Sequence, residues 1–200
     1  MSVFFVRAVP SLDRATHIAS LGFVQPISPA LRDDVDNHLT HGQLVYSIVE
    51  RDSLATIGFT LFNHLDSSVL YLSGIILDPN HQGQGIARLA VEHAGRETNA
   101  THLALRTQSP RMWSAGEKMT ESWFPHPTNE APPALRELGE RAATATGSAF
   151  PVKEGFYGGP LYGAKQTHHN VSLQTWWDSL CNFERGDAVF CIGKLPAQSE

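Results

Sequence analysis

A short glycine-bearing turn, DPNHQGQGIARLA over residues 78–90, constrains the fold of this 200-residue chain more than any other stretch. Residues 69–77 before it are rich in β-branched and aromatic side chains, a composition typical of a strand. Residues 86–98 after it place apolar side chains on one face of a helix. Between the strand and the helix, residues 78–87 contain neither lysine nor arginine. Any positive potential at this turn must therefore come from the backbone.

The start of the helix after this turn is predicted to be an anion site. A helix N-terminus leaves about four backbone N–H groups without partners and carries roughly half a positive charge. Gly83 and Gly85 have no Cβ, so a ligand can approach the backbone closely at both positions. These properties favour a phosphate or a pyrophosphate that is bound by amides and not by side-chain cations.

Two familiar phosphate-binding motifs do not match this turn. A P-loop would need a Gly-Lys pair beginning at the position of Arg88, five residues after Gly83. The dinucleotide fingerprint needs a small residue three positions after Gly85, and Arg88 stands there too. The strands before the turn are separated by short turn signals, which predict an antiparallel meander and not the alternating strands and helices of a dinucleotide-binding domain.

The first half of the chain predicts a strand, two helices, the meander, a helix and a further strand. Ser11 and Ser28 are the expected N-caps of the first two helices, and Pro29 is expected at a first helical position. Strand, helix and strand around the turn predict a right-handed crossover, which makes the second strand parallel to the first. The predicted strands are 3–9, 44–51, 54–64, 69–77 and 102–107, and the predicted helices are 11–21, 29–41 and 86–98.

The second half of the chain has a less regular pattern. Helices are predicted over residues 110–119 and 134–146, and a closing strand is predicted over residues 187–194. Residues 122–133, SWFPHPTNEAPP, are rich in proline and are predicted to be a loop. Residues 155–163, GFYGGPLYG, are predicted to be a broken strand.

The composition argues against several classes of partner. The formal net charge is −5, and no cluster of lysine and arginine offsets it, which argues against a nucleic-acid-binding surface. Cys181 and Cys191 are too few for a disulfide framework, so a reducing cytoplasmic location is expected. His168 and His169 lack a spaced third ligand, so no metal site is predicted. No run approaches the roughly 18 apolar residues of a membrane helix, so no membrane partner is expected.

Residues 82–87, Gln-Gly-Gln-Gly-Ile-Ala, match the pattern Gln/Arg-x-x-Gly-x-Gly/Ala. This pattern, together with the element order over residues 3–119, resembles the acetyl-CoA signature and fold of the GCN5-related N-acetyltransferase (GNAT) superfamily. The opening VFFVRAVPSLD is similar to the family's first strand and following turn. The resemblance implies an α/β fold with a mixed sheet, in which a meander precedes a βαβ crossover and strands four and five splay apart. We expect a single GNAT-like domain over residues 1–200, with an insertion at about 120–155 and a variable C-terminal part.

The resemblance also implies where acetyl-CoA, the acyl donor, is bound. In the family, the pantetheine arm enters the gap between strands four and five and pairs with main-chain groups. The amides of the glycine turn hold the pyrophosphate. The residues implied are Ile75, Ile76 and Leu77 for the pantetheine, and Gln82, Gly83, Gln84, Gly85, Ile86 and Ala87 for the pyrophosphate.

The catalytic acid of the family has no direct counterpart in this chain. In the family it is a tyrosine, about seven residues beyond an asparagine at the start of the helix after strand five. Here those two positions hold Ser109 and Gly116. Tyr157 and Tyr162 are the predicted replacement acids, and Ser109 is either a donor to the thiol sulfur or only a helix cap.

The general base is also different from the family pattern. Some relatives place a carboxylate on strand four, whereas this chain has none between Asp66 and Asp78. Ser73 could order a water in that strand, and His64 is a second candidate base. Deprotonation through water is the expected route.

The predicted function is transfer of acetyl from acetyl-CoA to a primary amine of a small molecule or to an amino-terminus, by direct attack. Two alternatives stay open, because the expected tyrosine and carboxylate are missing and because some toxin-like relatives act on aminoacyl-tRNA. They are a non-catalytic CoA-binding module, and an acyltransferase acting on aminoacyl-tRNA, which would need a basic groove. An acyl group longer than acetyl also stays open. The resemblance implies a homodimer, and the insertion at 120–155 is where substrate choice is expected to be determined.

Overall fold

The computed structural model describes residues 2–22, 26–161 and 164–197, except for the side chain of Ala30, and Tyr162 lies outside these residues. The described strands are β1 (Val3–Val6), β2 (Leu44–Glu50), β3 (Thr56–His64), β4 (Val69–Leu77), β5 (His102–Thr107), β6 (Ser122–Phe124), β7 (Val152–Lys153) and β8 (Ala188–Lys194). The described helices are α1 (Leu12–Gly22), α2 (Pro29–His41), α3 (Ile86–Thr98), α4 (Pro110–Met119), α5 (Pro133–Ala145) and α6 (Val171–Leu180). A short 3-10 turn, Pro79–His81, follows β4.

The chain divides into two compact units, and the first consists of Met1–His64 and Leu72–Thr98. Its strands lie in the order β1, β2, β3, β4, with antiparallel pairing of β1 with β2 and of β2 with β3. Gly58 lets β3 and β4 approach closely, because a Cβ at this position would lie 2.6 Å from the carbonyl oxygen of Ile76. This arrangement is the predicted meander.

The helices of the first unit begin where the sequence predicts. Ser11 Oγ accepts a hydrogen bond from the Arg14 amide at 3.3 Å, and Ser28 Oγ accepts one from the Leu31 amide at 3.2 Å. Such caps satisfy donors that the first helical turn leaves unpaired. α1 and α2 pack on the sheet through a cluster formed by Ala15, Ala19, Leu31, Val35, Leu39, Val45, Phe59 and Leu61.

The second unit, Leu65–Tyr71 and Asn99–Glu200, is built around the buried strand β8. β8 pairs antiparallel with β5, β6 and β7. The first residues of β4 also belong to this unit, and the Tyr71 ring stacks on Phe190 of β8 with centroids 6.0 Å apart. α5 packs on the same core through Leu135 and Leu138.

Two predictions for the second unit are wrong. Residues 122–133 were expected to be a loop throughout, but Ser122–Phe124 forms β6 and pairs with β8. Residues 155–161 of the predicted broken strand form turns, and residues 162 and 163 lie outside the described part. Gly155 and Gly158 have φ of 60° and 69°, a left-handed conformation that a strand does not contain.

The predicted fold class is confirmed. The sheet contains both antiparallel and parallel strands, and the order of elements from β1 to α4 is the predicted one. Within the described ranges, the helices lack the length and the apolar run that crossing a bilayer requires.

Candidate active site

The turn between β4 and α3, here called the elbow (residues 78–87), has the backbone shape that its glycines predict. Gly83 and Gly85 have φ of 75° and 77°, a region that residues with a Cβ rarely adopt. No heavy atom of the described residues lies within 4 Å of the position that a Cβ would take at either glycine. The space in front of both glycines is therefore open to a ligand.

From Gly83 onward, the backbone amides of the elbow have no acceptor within the described part of the chain. From Gly83 to Arg88, none of the six consecutive backbone N–H groups donates a hydrogen bond to a described residue. The first bond of the helix runs from the Leu89 amide to the Gly85 carbonyl at 3.2 Å. Arg88 faces Glu92 at 3.6 Å, so its charge is already paired along the helix surface. The positive potential here comes from amides and the dipole of α3, and it fits an anion.

Three side chains of the elbow form hydrogen bonds with nearby backbone groups. Asp78 Oδ1 accepts from the Asn80 amide at 2.9 Å and caps the 3-10 turn. Gln82 Nε2 donates to the Leu77 carbonyl at 3.2 Å, and Gln84 Nε2 donates to the Asn80 carbonyl at 3.0 Å. The side chains of Gln82 and Gln84 therefore hold the turn. The Gln82 backbone N–H is itself paired, because it donates to the Pro79 carbonyl at 3.2 Å, whereas no described residue accepts from the Gln84 backbone N–H.

His81, which the sequence analysis did not single out, joins the elbow to the end of β2. Its Nε2 lies 3.5 Å from Glu50 Oε1, and its Nδ1 lies 3.8 Å from Asp78 Oδ1. The hydrogen bond from Ser53 and then the neighbouring imidazole hold the pKa of Glu50 below its ordinary value. An ionised Glu50 favours this contact, which stabilises the position of the elbow on the sheet.

Ile75, Ile76 and Leu77 lie at the end of β4, where the strand changes from buried to half-buried side chains. Ile75 and Leu77 pack in one cluster with Ile86 of α3, and Ile76 packs against the cluster of α1 and α2. All three side chains are engaged in packing. A ligand at these residues would therefore be held by main-chain groups, as the sequence analysis expects.

Ser73 lies two residues before Ile75 in β4 and is held by a polar chain. Asn63 Nδ2 donates to Ser73 Oγ at 2.7 Å, and the Gln43 amide donates to Asn63 Oδ1 at 2.8 Å, which fixes the orientation of the Asn63 amide. Ser73 is thus an acceptor toward Asn63 and keeps its own proton as a donor. His64, the other candidate base, donates its backbone N–H to Gln43 Oε1 at 2.8 Å.

Ser109 begins α4 in the second unit. Its Oγ accepts from the Met112 amide at 3.3 Å, and its own amide donates to Thr107 Oγ1 at 2.9 Å. The structure therefore confirms its role as a helix cap. The cap does not use the hydroxyl proton, so a second role as a donor to sulfur stays a prediction.

Tyr157 lies in the glycine-rich turn segment and is held at both its backbone and its side chain. Its amide donates to the Gly186 carbonyl at 2.9 Å. Its hydroxyl oxygen accepts from Arg106 Nε at 3.3 Å. The Arg106 guanidinium lies over the Phe156 ring, 3.9 Å from the centroid. An aromatic ring and a cation thus fix the position of this phenol.

Gln108, a residue that the sequence analysis missed, links the start of α4 to the segment that carries Tyr157. Only 2% of it is exposed, and its Oε1 accepts from the Leu161 amide at 2.7 Å. Its backbone carbonyl accepts from Trp177 Nε1 at 3.1 Å. In the sequence, Gln108 is marked only by its position between a predicted strand and a helix cap, which does not indicate that it is buried. Within the second unit, Gln108 therefore ties the start of α4 to Leu161, at the end of the described turn segment, and to α6.

Asp187 holds the start of the glycine-rich turn segment that contains Tyr157. Its side chain is fully buried, and it accepts from the Gly155 amide at 2.9 Å and the Asn182 amide at 3.0 Å. Arg185 binds both carboxylate oxygens at 2.7 Å. The hydrogen bonds from Arg185, followed by those from the two amides, lower the pKa of Asp187 to about 2. The carboxylate is therefore ionised near neutral pH, and it fixes the start of the turn segment.

Both cysteines are buried, and His168 and His169 contact each other. Burial raises the pKa of Cys181 to about 12 and raises the pKa of Cys191 as well, so neither thiol provides a thiolate nucleophile near neutral pH. The rings of His168 and His169 lie 4.3 Å apart. In the portion of the chain that the structure covers, no three His, Cys, Asp or Glu side chains come together as a metal site.

The profile of the Acetyltransferase (GNAT) family matches residues 12–116, which is slightly more than half of the chain. The chain belongs to the GNAT family. The match includes the elbow and both strands on either side of α3. No curated protein sequence that was compared with this GNAT protein matches it.

Solved GNAT structures share this fold at low sequence identity. The ribosomal-protein-S18-alanine N-acetyltransferase of Escherichia coli is 15% identical with a TM-score of 0.56, covering 100% of this chain and 97% of that one. A GNAT acetyltransferase of Elizabethkingia anophelis with acetyl-CoA bound is 14% identical with a TM-score of 0.52, covering 97% of each chain. An acetyltransferase of Bacillus subtilis in complex with CoA is 14% identical with a TM-score of 0.53, covering 98% of this chain and 100% of that one.

Gly116, at the position where the GNAT resemblance implies a tyrosine, has no room for any side chain. A Cβ there would lie 2.1 Å from Cζ2 of Trp123 and 2.5 Å from Cε2. Trp123 itself is only 3% exposed and also packs against Gly193. The indole of β6 therefore occupies the space into which the family tyrosine would project from α4. A tyrosine at position 116 would not fit beside Trp123 in this packing.

We expect Gly116→Ala to lower the free energy of unfolding by about 2–3 kcal/mol, because the new methyl overlaps a buried indole. This loss outweighs the roughly 1 kcal/mol that alanine gains over glycine inside a helix. Gly139→Ala in α5 is the matched control, since its Cβ would lie 3.1 Å from Ile192 and from the movable Phe150 ring. Urea unfolding should leave the control within about 1 kcal/mol of wild type. Equal stability of the two variants would show that Trp123 can move aside.

The predicted site residues are divided between the two compact units, and their roles stay predictions. The nine predicted cofactor-binding residues all belong to the first unit, where β4 runs directly into the elbow. The two predicted catalytic residues, Ser109 and Tyr157, belong to the second unit. Gln108, next to Ser109, bonds to the amide of Leu161, four residues after Tyr157. Arg106, Gln108 and Asp187 are additions that only the structure reveals.

Proposed function

We propose that this GNAT protein transfers an acetyl group from acetyl-CoA to a primary amine of a small molecule or to an amino-terminus, by direct attack of the amine on the thioester. The observation that carries the proposal is the run of amides from Gly83 to Arg88, which have no acceptor among the described residues and include two glycines with open surroundings. Acyl donors with a pyrophosphate need such a site. The relatives with acetyl-CoA or CoA bound support the same donor.

Residues of the first unit would hold the donor and activate it. The elbow amides bind the pyrophosphate, and the main chain at Ile75, Ile76 and Leu77 pairs with the pantetheine. A β4 amide that donates to the thioester oxygen would stabilise the charge that develops when the amine attacks. Ser73, with its free proton and fixed orientation, would order the water that removes a proton from the amine.

Two side chains are the proposed sources of the proton for the leaving thiolate. Tyr157 is the first candidate, because both its backbone and its phenol are fixed. Ser109 would donate a hydrogen bond to the sulfur from the start of α4, where the helix dipole also favours a negative charge. These assignments replace the family tyrosine, for which Gly116 leaves no room.

A non-catalytic CoA-binding module is the second candidate function. The observation that favours it is the combination of the blocked position at Gly116 and the absence of a carboxylate between Asp66 and Asp78. Both candidates predict binding of acetyl-CoA. They differ only in turnover.

Thiol release from acetyl-CoA, followed with a chromogenic thiol reagent, separates the two candidates. The amine panel should contain a polyamine, free amino acids and a peptide that begins with alanine, since the Escherichia coli relative is an alanine N-acetyltransferase. We expect release only when an amine is present, with an acetylated product seen by mass spectrometry. Acetyl-CoA that binds without amine-dependent release would establish the binding module and exclude the transferase.

A further inference from the structure

We propose that Asn63 is a positioning residue that makes Ser73 an outward hydrogen-bond donor, and that this arrangement selects α-amino groups as acceptors over more basic amines. This inference rests on the proposed transferase function and deepens it by naming the class of acceptor. Asn63 in β3 and Ser73 in β4 both belong to the first unit, which also carries the elbow. The contacts between them lie inside that one unit.

The orientation of the Asn63 side chain is set by a backbone group. A backbone N–H only donates, and that of Gln43 donates at 2.8 Å to one end of the Asn63 amide, which must therefore be Oδ1. The other end is Nδ2, and it donates to Ser73 Oγ at 2.7 Å. Gln43 is held as well, because its Oε1 accepts from the His64 backbone N–H at 2.8 Å. A rotation of the Asn63 amide by 180° would place two donors against each other.

Ser73 is left with a defined role by this chain of hydrogen bonds. Its Oγ accepts from Asn63, and no residue in the described ranges accepts its hydroxyl proton. Ser73 is half-buried, so its hydroxyl is accessible to water or to a ligand. The hydroxyl therefore offers a proton at the place where a carboxylate would take one.

Ser73 lies on the part of β4 that the acyl end of the donor would reach. The elbow, which would hold the pyrophosphate, follows the C-terminal end of β4. A pantetheine that pairs with Ile75, Ile76 and Leu77 runs from the elbow back toward the start of the strand. Ser73 is two residues beyond Ile75 in that direction, about 7 Å along the strand. The thioester and the attacking amine would thus come close to Ser73.

The two strands that carry Asn63 and Ser73 contain no carboxylate. Residues 56–64 and 69–77 include neither Asp nor Glu, and their titratable side chains are His64 and Tyr71. Successive side chains of a strand point to opposite faces, so His64 lies on the face opposite to Asn63. Tyr71 is buried, with its ring stacked on Phe190 of β8 at 6.0 Å between centroids.

The charged and titratable groups on other elements of the first unit have partners elsewhere. Glu50 ends β2 and faces the elbow histidine at 3.5 Å. His41, at the end of α2, has its Nδ1 2.7 Å from the Asn37 carbonyl of its own helix. Within the described part of this unit, no titratable side chain forms a hydrogen bond with the Asn63 or Ser73 side chain. Further ion pairs of the unit join Arg7 to Glu97, Arg32 to Asp13 and Arg88 to Glu92.

The donor character of Ser73 determines which amines can react. An amine attacks a thioester only as its neutral form, and the pKa is about 7.7–8.0 for an α-amino group but about 10.4 for a lysine-type amine. At pH 7 roughly one α-amino group in ten is neutral, against roughly one lysine-type amine in 2,500. A hydroxyl that donates does not take a proton from an ammonium ion. The expected acceptor is therefore a free amino acid or an amino-terminus, and not a polyamine or a lysine side chain.

The step is balanced without ionisation of Ser73. The nitrogen of the neutral amine forms a bond to the thioester carbon, the C–S bond breaks, and its electron pair goes to the sulfur. The water that Ser73 binds takes one proton from the nitrogen, and the sulfur gains one proton. The products are a neutral amide and a thiol. Ser73 orders the water by donating to its oxygen, which leaves a lone pair of that oxygen for the amine proton.

The pH dependence of kcat/KM for two matched peptides tests the inference on the full-length protein. One peptide begins with a free alanine and contains no lysine, and the other has a blocked amino-terminus and one lysine. We expect kcat/KM to rise toward the pKa of each amine, so the two midpoints should differ by roughly 2–3 pH units. At pH 7 the alanine peptide should react at least about 10-fold faster, since its neutral fraction is roughly 250 times larger. A common midpoint would show that a group of the protein takes the proton, and it would overturn the inference.

Asn63→Asp tests whether Asn63 sets the direction of the Ser73 proton. A carboxylate at this position accepts from both the Gln43 backbone N–H and the Ser73 hydroxyl, so Ser73 then presents a lone pair outward. An ammonium group can donate to that lone pair, which assists the more basic amine. We expect the ratio of kcat/KM for the alanine peptide to that for the lysine peptide at pH 7 to fall about 10-fold or more. A purely structural defect would lower both rates and leave their ratio unchanged.

Two control variants show whether the effect passes through Ser73. Asn37→Asp adds the same charge at an exposed position of α2 in the same unit, and it should leave the ratio at the wild-type value. Ser73→Ala combined with Asn63→Asp removes the hydroxyl, and it should return the ratio to the wild-type value. An unchanged ratio in Asn63→Asp, or a ratio that stays low in the double variant, would show that Asn63 does not act through Ser73. Either result overturns the inference.

Failure of this inference and failure of the proposed function give different results. Amine-dependent thiol release with one midpoint for both peptides overturns the inference and leaves the transferase function standing. Acetyl-CoA that binds without release for any amine overturns the transferase function and, with it, the acceptor class assigned here. Release that follows the pKa of each amine supports both.

Discussion

Gly85→Glu is expected to abolish stabilisation by acetyl-CoA. The wild-type protein should melt roughly 5–10 °C higher with acetyl-CoA at 100 times its dissociation constant, because such saturation adds roughly 2.7 kcal/mol. In the variant, a side chain and a negative charge stand in the open space before the elbow amides, and a φ of 77° must be held by a residue with a Cβ. We expect affinity to fall by at least about 100-fold, which removes the shift in a thermal melt.

Gly147→Glu is the matched control for this experiment. Gly147 also has a positive φ, 68°, and open surroundings, but it follows α5 in the second unit. The control therefore carries the same charge and a similar backbone cost, and it should lower the melting temperature of the apo protein about as much as Gly85→Glu does. It should retain the full shift with acetyl-CoA, and NAD should shift none of the proteins. If Gly85→Glu also retained the shift, the elbow would be a structural turn and the proposed function would lose its basis.

The elements with local signals were predicted well from the sequence. α2 and α4 begin at the capping serines Ser28 and Ser109, and each has proline at its first position. The elbow was predicted because two glycines and a helix start are adjacent in sequence, so its geometry depends on local conformation alone. The same holds for the bounds of α3 and β5, where the periodicity is strong.

The elements that were missed depend on partners far along the chain. Ser122–Phe124 becomes β6 only because β8 supplies its hydrogen bonds, and nothing within the proline-rich segment reveals that strand. Gln108 is buried because Leu161, Trp177 and Phe183 surround its polar groups. Such residues are hydrogen-bond partners that lie far apart along the chain. A single sequence does not reveal which distant residues will be paired.

The glycine-rich segment shows the limit of composition as a signal. Its composition of glycines and aromatic residues was interpreted as a broken strand, but Gly155 and Gly158 adopt left-handed φ values and residues 155–161 form turns. What holds it is the buried carboxylate of Asp187, which the sequence places at the start of a strand without any sign of its role. The sequence therefore singles out Tyr157 as a candidate site residue but does not reveal the contacts that hold it in place.

Asp187→Asn is expected to destabilise the protein by about 3 kcal/mol at neutral pH, a fall in melting temperature of roughly 6–12 °C. An amide cannot accept from both the Asn182 and the Gly155 amides while it also faces two donors of Arg185, so buried donors lose their acceptor. Asp178→Asn is the control: its carboxylate is 38% exposed and contacts Lys165 at 2.8 Å, and loss of such a surface pair costs about 1 kcal/mol or less.

The pH dependence of this difference follows from the depressed pKa of Asp187. The pKa is about 2 in the folded protein and 3.8 ordinarily, so the native state favours the ionised form. The stabilising contribution is therefore complete above about pH 4 and is lost as the pH falls toward 2. Urea unfolding at pH 7 and at stepwise lower pH should show the gap between wild type and Asp187→Asn narrowing in that window, with no such narrowing for Asp178→Asn. A gap below about 1 kcal/mol at pH 7 would mean that the turn segment carrying Tyr157 is held without Asp187, and the anchor assigned to it would be wrong.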